Sequence, residues 1–186
     1  MTVGLFGDER AGKTVTLSAL ERCMTGENRL WELWLQTPAE ENPVKYVALR
    51  YHDCSFLFSD FPGDPVSSED LKAMGDAALK TDAALLVMSE EGLTPGLARH
   101  MELIRAAGIQ DVILFRNKTD KDGAPEALEQ AELQAKSALE ALGLSFRGGP
   151  VPIVRGSALQ AAQDVASPWA EQLLELAALA EQCAHD

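Results

Sequence analysis

The residues Gly7-Asp8-Glu9-Arg10-Ala11-Gly12-Lys13-Thr14 fit the pattern GxxxxGK[ST], and their setting constrains the fold more than any other stretch of the chain. A short β-rich run, Thr2–Phe6, precedes them, and an apolar helical pattern opens near Lys13. Glycines at both ends let backbone N–H groups turn inward around an anion, and the helix N-terminus adds partial positive charge. Lys13 is placed to reach β- and γ-phosphates, and the Thr14 hydroxyl to ligate Mg²⁺. Residues Gly7, Asp8, Glu9, Arg10, Ala11, Gly12, Lys13, Thr14 and Val15 are therefore the candidate phosphate contacts. The alternative is a Gly-rich strand-to-helix turn that holds no ligand.

The rest of the chain alternates short β-rich runs with longer helical patterns, as in a mainly parallel sheet covered by helices. Strands are expected at Thr2–Phe6, Val44–Tyr51, Ser55–Ser59, Ala83–Met88, Val112–Phe115 and Val151–Val154. Only His52-Asp53-Cys54 separates the second run from the third, too little for a crossover helix, so these two should form an antiparallel hairpin. Helices are expected from near Lys13, Ser68, Pro95, Pro125 and Pro168, three of them with proline in the first turn. Between about Glu126 and Leu142 the leucines Leu128, Leu133, Leu139 and Leu142 are expected on one face, with a stop at Gly143. At 186 residues, with no repeat or long linker, the chain reads as a single domain spanning 1–186.

Charge narrows the partners. With 16 Lys+Arg against 29 Asp+Glu, the net charge of −13 argues against broad nucleic-acid binding. It leaves room for a small anion in one locally positive pocket. No apolar run suits a membrane span, and no signal peptide is evident. Cys23, Cys54 and Cys183 are scattered and offer no metal site, which suits a cytoplasmic protein. The lone histidines His52, His100 and His185 form no ligand pattern.

Two further motifs follow expected strands. Asp60-Phe61-Pro62-Gly63 reads as DxxG: Asp60 is the candidate second Mg²⁺ carboxylate, acting through water, and the Gly63 N–H the candidate γ-phosphate sensor. Asn117-Lys118-Thr119-Asp120 reads as NKxD. A carboxylate accepts from both the N1–H and the exocyclic amine of guanine, a donor pair adenine lacks, so Asp120 selects guanine. The Lys118 stem can cover the base while Asn117 braces the loop. Ser157, Ala158 and Leu159 follow the last strand and can offer a backbone N–H to guanine O6. All four segments end strands, where open α/β sheets bind ligands. The ligand set they imply is GTP or GDP with Mg²⁺.

With those motifs in place, the chain resembles the GTP-binding domain of translational GTPases, closest to elongation factor Tu. The most specific stretch is Pro152-Ile153-Val154-Arg155-Gly156-Ser157-Ala158-Leu159, with Trp169 and Leu174-Glu175-Leu176-Ala177 beyond it. Asp60–Gly63 and Leu71-Lys72-Ala73-Met74 look like the family's second switch. The resemblance implies a Ras-like α/β fold, a six-stranded sheet with one antiparallel edge strand, and GTP hydrolysis. The β-barrel domains that carry tRNA in elongation factor Tu have no counterpart in these residues, so no tRNA binding is expected.

Three departures concern hydrolysis. Asp64 stands where the family has the histidine that orients the attacking water, which brings negative charge toward the γ-phosphate. Glu9 and Arg10 replace a valine and an aspartate of the family's loop. No RGxT occurs between Arg29 and Tyr51, where the family's first switch supplies a threonine; Thr37-Pro38 is the nearest, and Glu41–Pro43 occupies the position. Arg10 is also similar to the arginine that guanylate-binding proteins place in this loop as a finger within their own chain. Lys13, Arg10 and Asp64 are thus the candidate catalytic residues. Arg10 has a second reading, as an ion-pair partner of Glu9 or Asp64. Trp31 and Trp34, three apart, read either as core or as a surface for a protein effector or regulator. A nucleotide-dependent switch, a GTP-binding module without effective hydrolysis, and a mimic of elongation factor Tu all remain open.

Overall fold

The computed structural model describes residues 1–27, 29, 44–63, 68–121 and 125–184. Trp31, Trp34, Thr37, Glu41–Pro43, Asp64 and His185 lie outside the described residues. The elements are β1 (Thr2–Phe6), α1 (Lys13–Thr25), β2 (Lys45–Tyr51), β3 (Cys54–Asp60), α2 (Ser68–Ala78), β4 (Ala83–Met88), α3 (Pro95–Ala106), β5 (Asp111–Arg116), α4 (Pro125–Ala141), β6 (Ile153–Arg155), α5 (Ala158–Gln163) and α6 (Pro168–Cys183). They form a six-stranded sheet in the order β2-β3-β1-β4-β5-β6. Among the strands of the described residues, the β2–β3 pair is antiparallel and the others are parallel.

Burial follows position in the sheet. All six residues of the central strand β4, Ala83 to Met88, are buried, as a strand covered on both faces requires. The edge strand β2 alternates, burying Val47 and Leu49 while Tyr46, Ala48 and Arg50 face outward. Along β1, β4 and β5 the two-residue period splits the core in two. Leu5, Leu85, Val87, Ile113 and Phe115 pack against α1, α5 and α6. Phe6, Leu86, Met88, Val112 and Leu114 pack against α2, α3 and α4. The sheet is thus covered by helices on both faces, as expected of a P-loop GTPase domain.

Several expectations need correction. The hairpin joining β2 and β3 is tighter than a three-residue link: Tyr51 pairs with Cys54, so only His52 and Asp53 turn the chain. His52 makes that turn at φ 50°, and its ring lies 3.9 Å from that of Tyr51. The final strand is Ile153–Arg155, two residues later at its start than the apolar run Val151–Val154 suggests. A short helix, α5, follows it unforeseen, capped by Ser157, whose hydroxyl accepts from the Gln160 amide at 3.3 Å. On α4, Leu133 is 63% exposed, and the inward stripe is instead Glu132, Ala135 and Leu139. Five residues of helix turn Leu133 well away from the face of Leu128, whereas steps of three and four keep the stripe aligned.

Candidate nucleotide site

The four motif segments leave the C-terminal ends of β1, β3, β5 and β6, which lie side by side except where β4 intervenes. Gly7 (φ 141°) and Gly12 (φ 88°) turn the loop between β1 and α1. Neither tolerates a side chain: a Cβ on Gly7 would meet the Val87 carbonyl, and one on Gly12 would lie 2.5 Å from Asn117 Nδ2. Lys13 is buried, and its Nζ donates to the carbonyls of Gly7 at 2.8 Å and Asp8 at 2.6 Å. The ammonium therefore lies folded back onto the backbone of the loop.

Asp60 ends β3 in register with Leu5 of β1, which brings its carboxylate beside the loop. Thr14 Oγ1 donates to Asp60 Oδ2 at 3.1 Å, while the buried Oδ1 has no hydrogen-bond partner. Burial pushes the Asp60 carboxyl above its usual range, opposed by Lys13, the Thr14 hydroxyl and Lys45. A buried carboxylate with one unserved oxygen, next to a hydroxyl, is a donor set that suits a small hard cation such as Mg²⁺. Phe61 then stacks on Phe6 with ring centroids 4.2 Å apart, fixing the start of the DxxG turn. Gly63 presses against the phosphate loop so closely that a Cβ would collide with the backbone of Glu9.

Asn117 joins three segments. Its Nδ2 donates to the Ala11 carbonyl at 2.9 Å, and its Oδ1 accepts from the Ala158 amide at 2.9 Å. Its own amide donates to Met88 of β4 at 2.8 Å. The amide of Thr119 donates to the Gly156 carbonyl at 3.2 Å, so the segments after β5 and β6 are also tied through their backbones. Lys118 adopts φ 64°, and its Nζ lies 3.2 Å from Glu90 Oε2. The Asp120 side chain is exposed, in a short 3-10 turn, Thr119–Lys121. The Ala158 amide is committed to Asn117, whereas Leu159 lies in the first turn of α5, whose amides lack intrahelical acceptors.

A model of the elongation factor Tu GTP-binding domain matches residues 2–183. The chain belongs to this family. Membership of the elongation factor Tu GTP-binding family places the chain among GTP-binding GTPases, and guanine nucleotide, typically with Mg²⁺, is the ligand the family implies. No helix among the described residues is long and apolar enough to cross a membrane.

Arg10 stands exposed on the loop. Among the described residues no ion pair joins it to Glu9, and the other proposed partner, Asp64, lies outside them.

Sequence reasoning missed three features around these loops. Asp8 accepts a hydrogen bond from Thr94 Oγ1, and Gly96 of α3 leaves no space for a Cβ beside the Asp8 carboxylate. Thr94 also caps α3, accepting from the Leu97 amide at 3.1 Å; the Thr-Pro pair signals a helix start but not this contact. His100, on the same helix, is buried with Nε2 3.1 Å from the Gly63 carbonyl. It borders an apolar cavity of about 90 Å³ with Leu71, Met74 and Leu103. The third feature is the charge cluster of Arg116, Glu132 and Arg155 behind the segments after β5 and β6.

Proposed function

We propose that this chain is a GTPase switch that binds GTP and GDP with Mg²⁺, hydrolyses GTP slowly, and signals its nucleotide state to a protein partner in the cytoplasm. The observation that carries the reading is the double hydrogen bond of Asn117, which locks the phosphate loop at Ala11 to the segment after β6 at Ala158. Such a brace has a use when one ligand must touch both ends at once, with phosphates at Gly7–Val15 and a base at Asp120 and Ser157–Leu159.

In this reading the loop amides and Lys13 hold the phosphates, and Lys13 exchanges its two carbonyl acceptors for phosphate oxygens. The reaction is in-line attack of water on the γ-phosphorus, with GDP leaving. Mg²⁺, held by Thr14 directly and by Asp60 through water, would offset charge on the β- and γ-phosphate oxygens. The Gly63 amide reads the γ-phosphate, and Asp120 selects guanine. Arg10 supplies positive charge toward the transition state. Slow turnover follows from Asp64 in place of a water-orienting histidine and from the absence of an RGxT threonine.

Those same two departures favour a second reading, in which guanine nucleotide is bound without effective hydrolysis and the chain serves as an interaction module or a mimic of elongation factor Tu. Measuring GTP and GDP affinity alongside phosphate release under excess protein separates the two. The switch reading expects slow release that Asp64→His accelerates. Tight binding with no release from either protein would leave only the second reading, and no guanine nucleotide binding would sink both.

A further inference from the structure

Glu132 lies on the inward face of α4, next to the Leu133 that the leucine spacing selects. It is 7% exposed and meets two arginines. Arg116, the last residue of β5, donates from Nη1 to Glu132 Oε1 at 2.7 Å; its side chain is 4% exposed. Arg155, the last residue of β6, donates from Nε to Oε1 at 2.7 Å and from Nη2 to Oε2 at 2.6 Å, a two-pronged grip on the carboxylate. Arg116 and Arg155 are register partners across the parallel β5–β6 pair, so their side chains leave the same face of the sheet. Two guanidiniums on adjacent strands repel, and the carboxylate between them makes the pairing tolerable. The two arginines hold the Glu132 carboxyl below its usual range, Arg155 first, against the opposing effect of burial.

The positions matter more than the charges. Arg116 immediately precedes Asn117 of NKxD, and Arg155 immediately precedes Gly156-Ser157-Ala158. Each arginine is therefore the hinge of one proposed base-reading segment, and a single side chain from α4 holds both hinges. Buried ion clusters add little net stability compared with well-packed apolar groups; their best-attested use is to fix register. Here the register concerned is the separation between Asp120, which would accept from the guanine N1–H and 2-amine, and the amides after β6, which would donate to O6.

We propose that Glu132 is a positioning residue for guanine recognition, a carboxylate bridge that sets the NKxD segment against the segment after β6 by gripping the arginine that precedes each. The inference rests on the guanine reading above. With the bridge intact, a base can engage both segments simultaneously; without it, the two segments relax independently and the 2-amine contact is lost first.

The test compares GDP with IDP, which lacks only the 2-amine, by equilibrium titration of the full chain, with thermal unfolding alongside. Glu132→Gln takes the carboxylate charge away from the buried Arg116, which can cost stability by itself, so the main variant is Arg116→Met/Glu132→Leu, which replaces the buried pair by apolar groups. Its preference for GDP over IDP is expected to fall about tenfold, mostly through weaker GDP binding. Arg155→Gln keeps the buried Arg116–Glu132 pair, and since the Arg155 side chain is 61% exposed it should fold normally. Its preference is expected to fall severalfold with little change in Tm. Unchanged preference in Arg155→Gln and in any folded double variant, with GDP still bound, overturns this inference alone. Failure of the wild-type chain to bind GDP overturns the guanine reading and this inference together.

Discussion

The His100 imidazole is bonded to the carbonyl of Gly63, the last residue of DxxG, with Nε2 3.1 Å from the oxygen. A carbonyl only accepts, so Nε2 carries the proton, and Nδ1 is left buried without a partner. Burial, the largest influence, pushes the His100 pKa from 6.5 down to about 4; Lys13 and Arg99 add to this, while the Gly63 carbonyl and Asp8 oppose it. The folded protein thus keeps His100 neutral where the unfolded chain is protonated.

The contribution is fully present above pH 6.5 and is lost as the pH falls toward about 4, because only the unfolded state takes up the proton over that interval. Its full size is about 3 kcal/mol. Urea unfolding at pH 7 and pH 5 should show a larger loss of stability for the wild type than for His100→Gln, which retains a donor but does not titrate. Equal losses in both proteins would refute the assignment.

Gly63 sets a different test. Because a Cβ there would collide with the Glu9 backbone, Gly63→Ala forces the DxxG turn away from the phosphate loop. GDP, which lacks the γ-phosphate, should bind nearly as before, while GTP affinity drops about tenfold. Competition titration with the two nucleotides reads the ratio directly. A variant that weakens both equally would mean that Gly63 shapes the loop and senses nothing.

The contrast between these contacts and the motifs shows what the sequence could convey. Six strands, the antiparallel hairpin and five helix starts were legible because strand runs and Thr/Ser-Pro starts are local signals. GxxxxGK[ST], DxxG and NKxD were legible for the same reason, since each is contiguous. His100 carried no pattern: its partner is a backbone carbonyl 37 residues away. Glu132 carries no sequence signal of burial, because a helical stripe counted by leucines selects Leu133 over the residue beside it. Only the arginines that end β5 and β6, brought together by strand pairing, show why a carboxylate faces inward there. The helix that Ser157 caps is not legible, because the six-residue α5 is too short to announce itself by periodicity.

The proposed metal ligands can be tested without turnover. Asp60 Oδ1 is buried and unpartnered, and Thr14 Oγ1 bonds the other carboxylate oxygen. Addition of Mg²⁺ to the GDP complex should raise its Tm, and EDTA should reverse the change. In Asp60→Asn the shift should vanish while metal-free GDP affinity changes by less than about threefold, since the amide supplies a weaker and uncharged donor. An undiminished Mg²⁺ shift in that variant would place the ion elsewhere.

Arg10 decides how much of the hydrolytic machinery survives. Its side chain is exposed at the fourth position of the phosphate loop, and among the described residues Glu9 does not pair with it. An exposed guanidinium beside the proposed γ-phosphate position can approach transition-state charge within its own chain, and such an arginine is worth about 10³-fold or more in rate when aimed correctly. Single-turnover hydrolysis by Arg10→Ala should therefore fall by at least about tenfold with GTP affinity nearly unchanged, because the charge is needed most as the bond to the leaving oxygen lengthens. Arg10→Lys should recover little, since a point charge on a shorter donor set cannot reproduce the planar fork. If Arg10→Ala hydrolyses at the wild-type rate, the arginine only offsets the acid of Glu9 and Asp64. Slow turnover would then rest on Lys13 and the loop amides alone.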